Sequence, residues 1–252
     1  MLKYKRIPLE TLVNVRDLGG FAAMEGKITK YGVFLRSDCP TNITPYDLQF
    51  LLDYGITLTI DLRGNDEVQK TPSALSQVAG LTYIHCPISA DHSVLQSGNK
   101  ELPLSPQDGN FDLGDTYIEI AETAKAWVKR VFTICAQWQG GVMYHCFLGK
   151  DRTGIITALL LGACGVSDTD ILMDYSASMS CLRPRYSNMH PEMLPQKRGR
   201  PDYCWGFFGS VPESMEALLC HLQAKYGGVT AYLQSCGVST QSIRKLQQKL
   251  LE

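Results

Sequence analysis

The chain has 252 residues, of which 44% are hydrophobic and 19% charged, and its 24 basic and 25 acidic side chains leave a formal net charge of −1. This composition excludes an intrinsically disordered chain, which combines low hydrophobicity with a large net charge. The balanced charge gives no overall attraction to a polyanion, so we expect no nucleic-acid partner. A chain of this length buries enough apolar surface to fold without staples, and we expect residues 1–252 to form a single domain.

The nine cysteines are scattered at least eleven residues apart, a spacing that matches neither a zinc site nor a CxxC motif. No run of eighteen apolar residues occurs, and the basic N-terminus is not followed by the apolar core of a signal peptide. We therefore expect a cytoplasmic protein with reduced cysteines and no integral membrane segment. We also expect a monomer that needs no metal and no cofactor.

Short apolar runs rich in β-branched residues predict four strands, at Val33–Leu35, Ile56–Leu62, Leu81–Pro87 and Val142–Cys146. Helical patterns alternate with them, from an N-cap at Thr44 to about Tyr54 and as one continuous helix over Tyr117–Gln137. Further helices are predicted after the last strand, at Thr153–Cys164, from Ser167 onward, and at Pro212–Lys225, Thr230–Gln234 and Ser239–Leu251. This order predicts an α/β fold: a central, mostly parallel sheet of four to five strands flanked by helices, with extra helices at the C-terminus.

Two stretches fit neither pattern. Residues 89–113 and 183–209 are rich in proline, glycine and polar side chains, and the second also carries several arginines and lysines. Loops of this length inside a compact domain are typical of functional lids. A solvated surface excursion is the alternative, and the sequence does not separate the two.

The segment VMYHCFLGKDRTG, from Val142 to Gly154, carries the strongest chemical signal, because it runs from a predicted strand through a loop into a predicted helix. Loops at the carboxyl ends of parallel strands bind ligands, and their N–H groups together with a helix N-terminus attract anions. Arg152 supplies a planar fork for two phosphate oxygens. The same dipoles favour the thiolate form of Cys146, which would attack a phosphorus atom held in the loop.

The spacing of cysteine and arginine in this loop is specific within the chain. Arg152 follows Cys146 by six residues, whereas none of the other eight cysteines has an arginine at that position. The alternative, a buried inert cysteine beside a surface arginine, has to explain the adjacent His145, Thr153 and the two loop glycines as well. We therefore predict a phosphate-binding loop made of Phe147, Leu148, Gly149, Lys150, Asp151 and Arg152.

The loop HCFLGKDRTG matches the HC-x5-R-[ST] signature of the cysteine-dependent protein tyrosine phosphatases. The chain is similar to a microbial branch of that superfamily, the tyrosine and phosphoinositide phosphatases of bacterial pathogens with an HCxxGKDRTG loop. Other segments that look like landmarks of this branch are Asn14–Gly20, Phe34–Ser37, Ile60–Arg63, Asp174-Tyr175, Tyr232-Leu233 and Gly237–Ser239. The resemblance implies a tyrosine-phosphatase-like fold and metal-free hydrolysis of phosphomonoesters through a cysteinyl-phosphate.

The resemblance also implies residue roles. Cys146 would be the nucleophile, Arg152 the phosphate clamp, and Thr153 the hydroxyl donor that helps the thiolate leave in the second step. His145 precedes the nucleophile on its strand and is expected to orient the loop through backbone hydrogen bonds. The substrate would be a phosphorylated protein, with phosphotyrosine as the default and dual specificity as a variant, or a phosphoinositide as the alternative.

The general acid that protonates the departing oxygen is not fixed by the sequence, which has no Trp-Pro-Asp segment. Asp91 ranks first because it follows the third predicted strand at the same sheet edge as Cys146. Asp151, inside the loop, ranks second, because a carboxylate beside the clamp would weaken its positive field. A turn residue and an outward surface ion pair are the respective structural alternatives.

Several other polar residues have two interpretations. Lys150 is a second cation for a further substrate phosphate or a solvated surface lysine. Asn14, Arg16 and Asp17 contact the loop or simply fasten an irregular turn, and we expect the turn. Arg36 and Arg63 contact substrate or form a buried ion pair with Asp61 or Glu67.

Two other classes of protein are alternatives to a phosphatase. A non-catalytic phosphate-binding module would keep the loop and lack the acid, but this chain retains both the cysteine and the arginine. A rhodanese-type sulfurtransferase also uses a loop cysteine, yet it has no need of an arginine followed by threonine and glycine. We therefore expect a phosphatase.

Overall fold

The computed structural model describes residues 3–88, 113–189 and 209–252, with backbone alone for 186–189. Five strands form one sheet: β1 Arg16–Asp17, β2 Phe34–Ser37, β3 Ile56–Asp61, β4 Thr82–His85 and β5 Gly141–His145. Their order is β1-β2-β5-β3-β4, and every pair is parallel except β1 with β2. The predicted α/β fold with a mostly parallel central sheet is confirmed.

Nine helices lie in the described ranges. They are α1 Pro45–Asp53, α2 Asn65–Lys70, α3 Leu113–Thr123, α4 Lys125–Gln137, α5 Asp151–Ala163, α6 Asp168–Met189, α7 Pro212–Tyr226, α8 Val229–Ser235 and α9 Thr240–Leu250. A short 3₁₀ turn covers Met24–Gly26. None of these helices combines the length and the apolar character needed to cross a bilayer.

The two faces of the sheet bury separate apolar clusters, because side chains alternate along each strand. On β5, Val142 and Tyr144 belong to the larger cluster, which includes residues of α3, α4, α5 and α7, whereas Met143 points into the smaller one. On β2, Phe34 and Leu35 divide in the same way. The central strand β5 is therefore covered on both faces, and the loop that follows it is attached to a fully buried strand.

Several predicted elements differ from the structure in their bounds. The helix predicted over Tyr117–Gln137 is two helices, since Ala124 leaves the helical region at φ −100° and ψ 29°. No glycine or proline marks this break, so the sequence carries no local signal for it. The short strand β1, in the segment expected to be an irregular turn, pairs with β2 through Arg16 and Arg36.

The predicted loop over residues 183–209 begins too early, because residues 183–189 continue α6 through Pro184. A contact across the fold stabilises this end of the helix: Arg185 Nη1 donates to Asp38 Oδ2 at 2.7 Å. Residues 190–208 and 89–112, which hold the remainder of the two predicted loops, lie outside the described residues.

Candidate active site

The loop that follows β5 lies at the centre of the sheet edge. Cys146 comes directly after β5, which is flanked by β2 and β3, and only 2% of its surface is exposed. Gly149 takes a left-handed φ of +69°, and a Cβ at this position would lie 2.3 Å from the carbonyl oxygen of Ser37. Glycine is therefore required where the loop packs onto the end of β2.

Two carbonyl groups of the loop are held by side chains from the N-terminal part of the chain. Asn14 Nδ2 donates to the Leu148 oxygen at 2.9 Å and to the Gly149 oxygen at 3.2 Å. Arg36 Nη2 donates to the Gly149 oxygen at 2.7 Å. Asn14 thus contacts the loop, and the expectation that its segment only fastens a turn is wrong.

The guanidinium of Arg152, in the first turn of α5, is held by a carboxylate from α2. Its Nη1 and Nη2 donate to Glu67 at 2.5 and 2.9 Å. Burial disfavours the charged form, but the hydrogen bonds to Glu67 and the neighbouring Cys146 and Asp151 raise the pKa of Arg152. Arg152 Nε and Thr153 Oγ1 are buried without a hydrogen-bond partner among the described residues, so both are free to bind a ligand.

A second buried ion pair lies at the end of the neighbouring strand β3. Arg63 donates to Asp61 from Nε at 2.9 Å and from Nη2 at 2.6 Å, so Asp61 is its partner and Glu67 is not. Burial opposes ionisation of Asp61, but His145 and Arg63 outweigh it and lower the pKa of the carboxyl to about 2. The pair anchors the carboxyl end of β3, beside the nucleophile strand.

His145 makes the backbone contact expected of it. Its Nδ1 lies 3.1 Å from the carbonyl oxygen of Cys146, and since a carbonyl only accepts, Nδ1 carries the proton. Burial lowers the pKa of His145, which keeps the ring neutral at pH 7. The ring therefore fixes the backbone at the nucleophile.

The expected pairs for Arg36 are replaced by one with Asp174 on α6. Arg36 Nη1 lies 2.6 Å from Asp174 Oδ2, and Arg16 Nε lies 3.1 Å from Asp174 Oδ1. Burial alone would raise the pKa of Asp174, but the two guanidinium groups hold it well below its usual range. Arg16 and Arg36 thus lie beneath the loop as part of a buried ionic cluster.

Asp151 and Lys150 contact each other and the inner face of the helical layer. The Lys150 ammonium is 1% exposed, lies 3.3 Å from Asp151 Oδ1 and donates to the Gly209 oxygen at 3.2 Å, so a solvated surface lysine is wrong. Asp151 Oδ1 also accepts a hydrogen bond from Tyr117, whose hydroxyl lies 2.7 Å from that of Tyr175. The Asp151 side chain is 19% exposed and is not an outward surface pair.

The two remaining predicted site residues are Phe147 and Asp91. Phe147 is half-buried, its oxygen accepts from the Cys39 N–H at 3.0 Å, and the Arg185 guanidinium lies 5.9 Å from the centre of its ring. Asp91, the first-ranked acid, lies outside the described residues.

Within the described ranges, no group of three or more His, Cys, Asp or Glu side chains has the arrangement of a metal site.

Sequence reasoning missed three carboxylates that organise the site. Glu67 was considered only as a partner of Arg36 or Arg63, and Asp174 and Asp38 were given no role. Asp38 accepts backbone hydrogen bonds from Val13 and Asn14. In the sequence, each of these carboxylates lies in or near a segment that resembles a landmark of the family. Only the fold shows which arginine or backbone amide each carboxylate contacts.

The site combines three features. A cysteine begins the loop, two loop carbonyls accept hydrogen bonds from side chains, and the arginine guanidinium is held by a carboxylate. A guanidinium and a helix N-terminus both attract anions, so this arrangement is chemically suited to a tetrahedral oxyanion. A cysteine at the start of such a loop has the chemistry of a nucleophile.

Known proteins are similar in sequence to this chain over most of its length. Residues 7–252 match the model of the tyrosine phosphatase family. A tyrosine-protein phosphatase of Nostoc commune is 32% identical over 231 residues, covering 86% of this chain and 74% of its own. The triple specificity protein phosphatase PtpB of Mycobacterium tuberculosis is 28% identical, with 78% and 83% covered. The chain therefore belongs to the tyrosine phosphatase family, which confirms the resemblance and the protein-tyrosine-phosphatase class predicted from its sequence.

Proposed function

We propose that the protein hydrolyses phosphomonoesters, with phosphotyrosine as the default substrate, through a phosphate covalently bound to Cys146. The observation that carries this proposal is the Arg152–Glu67 pair. It uses Nη1 and Nη2 of the guanidinium and leaves Nε without a partner among the described residues, six positions after the cysteine. A fork held on one side in this way presents its free edge to an oxyanion.

The reaction has two steps. In the first, the Cys146 thiolate attacks phosphorus, an S–P bond forms, the ester P–O bond breaks, and a carboxylic acid gives its proton to the departing oxygen. In the second, water attacks phosphorus, the S–P bond breaks, and the same carboxylate takes a proton from the water. Arg152 and the loop N–H groups hold the phosphoryl oxygens throughout, and the Thr153 hydroxyl donates to the departing thiolate.

Two carboxylates are candidates for the acid. Asp91 keeps the first rank from its place after the strand β4. Asp151 belongs to the loop, and its Oδ1 is already engaged by Tyr117 and Lys150, so only Oδ2 is available for a substrate. Exchanging each carboxyl separately distinguishes the two.

A phosphoinositide is the second candidate substrate. Lys150 favours it as an additional cation in the loop, and the name of the PtpB relative, which ascribes triple specificity to that protein, favours a site open to more than one ester. The burial of Lys150 against Asp151 and Gly209 counts against direct contact between this lysine and a further phosphate. Turnover of a phosphotyrosine peptide and a phosphoinositide under one set of conditions decides the matter, and a strong preference for the lipid would overturn the default.

The direct test of the nucleophile is Cys146→Ser, with Cys164→Ser as a control at a buried cysteine that caps the C-terminus of α5, outside the loop. We expect Cys146→Ser to lose hydrolysis by more than about a thousandfold while still binding inorganic phosphate, and Cys164→Ser to keep its activity. Unchanged turnover in Cys146→Ser refutes the nucleophile. Oxyanion binding without any turnover in the wild type would instead favour the non-catalytic phosphate-binding module.

We further propose a cytoplasmic monomer made of one domain. A nucleophilic thiolate needs a reducing compartment, since oxidation removes it. Cell fractionation tests the location, light scattering tests the mass, and a single cooperative unfolding transition tests the one-domain organisation.

A further inference from the structure

A buried ionic cluster meets the carbonyl groups of the loop that follows β5. Its centre is Asp174, which accepts from Arg16 Nε at 3.1 Å and from Arg36 Nη1 at 2.6 Å. All three side chains are nearly or fully buried. Such a cluster is costly to desolvate, and burial of an ion pair is by itself weak evidence that the pair stabilises the fold.

Two routes connect this cluster to the loop. In one, Arg36 uses its second nitrogen, Nη2, to donate to the Gly149 oxygen at 2.7 Å. In the other, Arg16 Nη1 donates to Asn14 Oδ1, and Asn14 Nδ2 donates to the oxygens of Leu148 and Gly149. The carboxylate thus fixes the orientation of both donors that meet the loop.

The geometry of a trans peptide gives these contacts a consequence at the ligand. In each peptide unit the C=O and the N–H of the next residue point in opposite directions. Holding the Leu148 and Gly149 oxygens toward the cluster therefore turns the N–H groups of Gly149 and Lys150 toward the opposite side, where the oxyanion binds. A flip of either unit would present an oxygen to the anion instead.

We propose, on the basis of the proposed function, that Asp174 is a positioning residue for oxyanion binding, acting through Arg36, Arg16 and Asn14 on the peptide units of the loop. Its charge alone would oppose an anion. The cluster therefore contributes by geometry, while its two arginines and one carboxylate keep a net positive charge beneath the loop.

Two variants separate geometry from charge. Asp174→Asn removes a negative charge, so electrostatics alone predicts tighter anion binding, whereas loss of positioning predicts weaker binding. Arg36→Lys keeps the charge but is unable to donate to Asp174 and Gly149 at once through a planar fork. Ser178→Ala is the matched control, because its buried hydroxyl meets the same arginines, at 2.9 and 3.4 Å, and is not among the groups that hold the loop carbonyls.

The measurements are the orthovanadate inhibition constant, kcat and KM for a phosphotyrosine peptide, and the melting temperature. We expect the inhibition constant to rise at least tenfold in Asp174→Asn and in Arg36→Lys and to stay within threefold in Ser178→Ala. Equal or tighter orthovanadate binding in folded Asp174→Asn overturns the proposal. If that variant does not fold, unchanged binding in Arg36→Lys overturns it, as does a loss in Ser178→Ala as large as in the others.

The wild-type protein separates this proposal from the proposed function. A wild type that neither hydrolyses a phosphomonoester nor binds orthovanadate refutes both. A wild type that does both, beside folded variants of Asp174 and Arg36 with unchanged affinity, refutes only the positioning role.

Discussion

The guanidinium of Arg152 donates two hydrogen bonds to the carboxylate of Glu67, at 2.5 Å from Nη1 and at 2.9 Å from Nη2. The pair joins the first turn of α5 to the first turn of α2. Glu67 is itself fixed, since Oε2 accepts from the Gly64 N–H at 2.7 Å and caps its own helix. The clamp is therefore oriented by a residue outside the loop.

Exchanging Glu67 for glutamine should lower kcat/KM by about ten- to hundredfold. Glutamine keeps an oxygen for the cap but loses the charge and one of the two acceptors, and hydrogen bonds to charged groups contribute about 1.5–3 kcal/mol. Steady-state kinetics on a phosphotyrosine peptide measures the effect. Asp66→Asn, at the exposed neighbouring carboxylate, is the control and should leave kcat/KM unchanged. Equal kinetics in both variants would contradict the orienting role of Glu67.

Gly149→Ala should destabilise the protein by about 2–4 kcal/mol and abolish most activity. The left-handed φ costs an L-residue about 1–2 kcal/mol, and the added Cβ would also collide with Ser37. Gly80→Ala is a matched control, because Gly80 has a φ of +82° with no atom within 4 Å of the new Cβ. Urea unfolding should show only the conformational cost at Gly80. A similar loss at both positions would mean that the contact with Ser37 is unimportant.

The two candidate acids are separated by pH–rate profiles of Asp91→Asn and Asp151→Asn. An acid is needed protonated, so the wild-type rate should fall at high pH, and removal of the acid should abolish that alkaline limb. The profile of Asp91→Asn is expected to lose it. If the limb persists there and disappears in Asp151→Asn, the assignment moves to Asp151, and Tyr117→Phe should then shift the limb as well.

Asp61 should make stability depend on acid pH. Its pKa falls from 3.8 to about 2 on folding because His145 and Arg63 outweigh the effect of burial. A lowered pKa contributes stability that is present above the unfolded value and is lost as the pH falls from about 4 through 2, roughly 2 kcal/mol in total. Urea unfolding across this range measures it. Asp61→Asn should be less stable than the wild type near neutral pH, and the difference should shrink as the pH falls from about 4 through 2. An identical pH dependence in both proteins would refute this contribution.

Much of the site was readable from the sequence because it is local. The strand that ends before Cys146, the loop and the helix from Asp151 follow one another directly between Gly141 and Ala163, and the chemistry of a cysteine, glycines and an arginine at that spacing is specific. The alternating strands and helices likewise predicted the parallel sheet. These features depend on periodicity and on neighbours within a few residues.

The supporting contacts were not readable because their partners are far apart in the chain. Asn14 and Leu148 are separated by 134 positions, Glu67 and Arg152 by 85, and Arg36 and Asp174 by 138. Asp61 and Glu67 were both possible partners for Arg36 and Arg63. The structure pairs Arg63 with Asp61, Arg36 with Asp174, and Glu67 with Arg152. The break at Ala124 escaped notice for a related reason, since no helix-breaking residue marks it.

By itself the sequence determined the class of fold, and it predicted an anion-binding loop with Cys146 as nucleophile and Arg152 as clamp, since each follows from short-range patterns. Only the tertiary structure decided what holds them in place: which carboxylate orients Arg152, which amide and guanidinium turn the loop carbonyls away, and that Lys150 is buried. Ion pairs between distant residues depend on how the strands are ordered in the sheet, and that order is set by the packing of the whole chain.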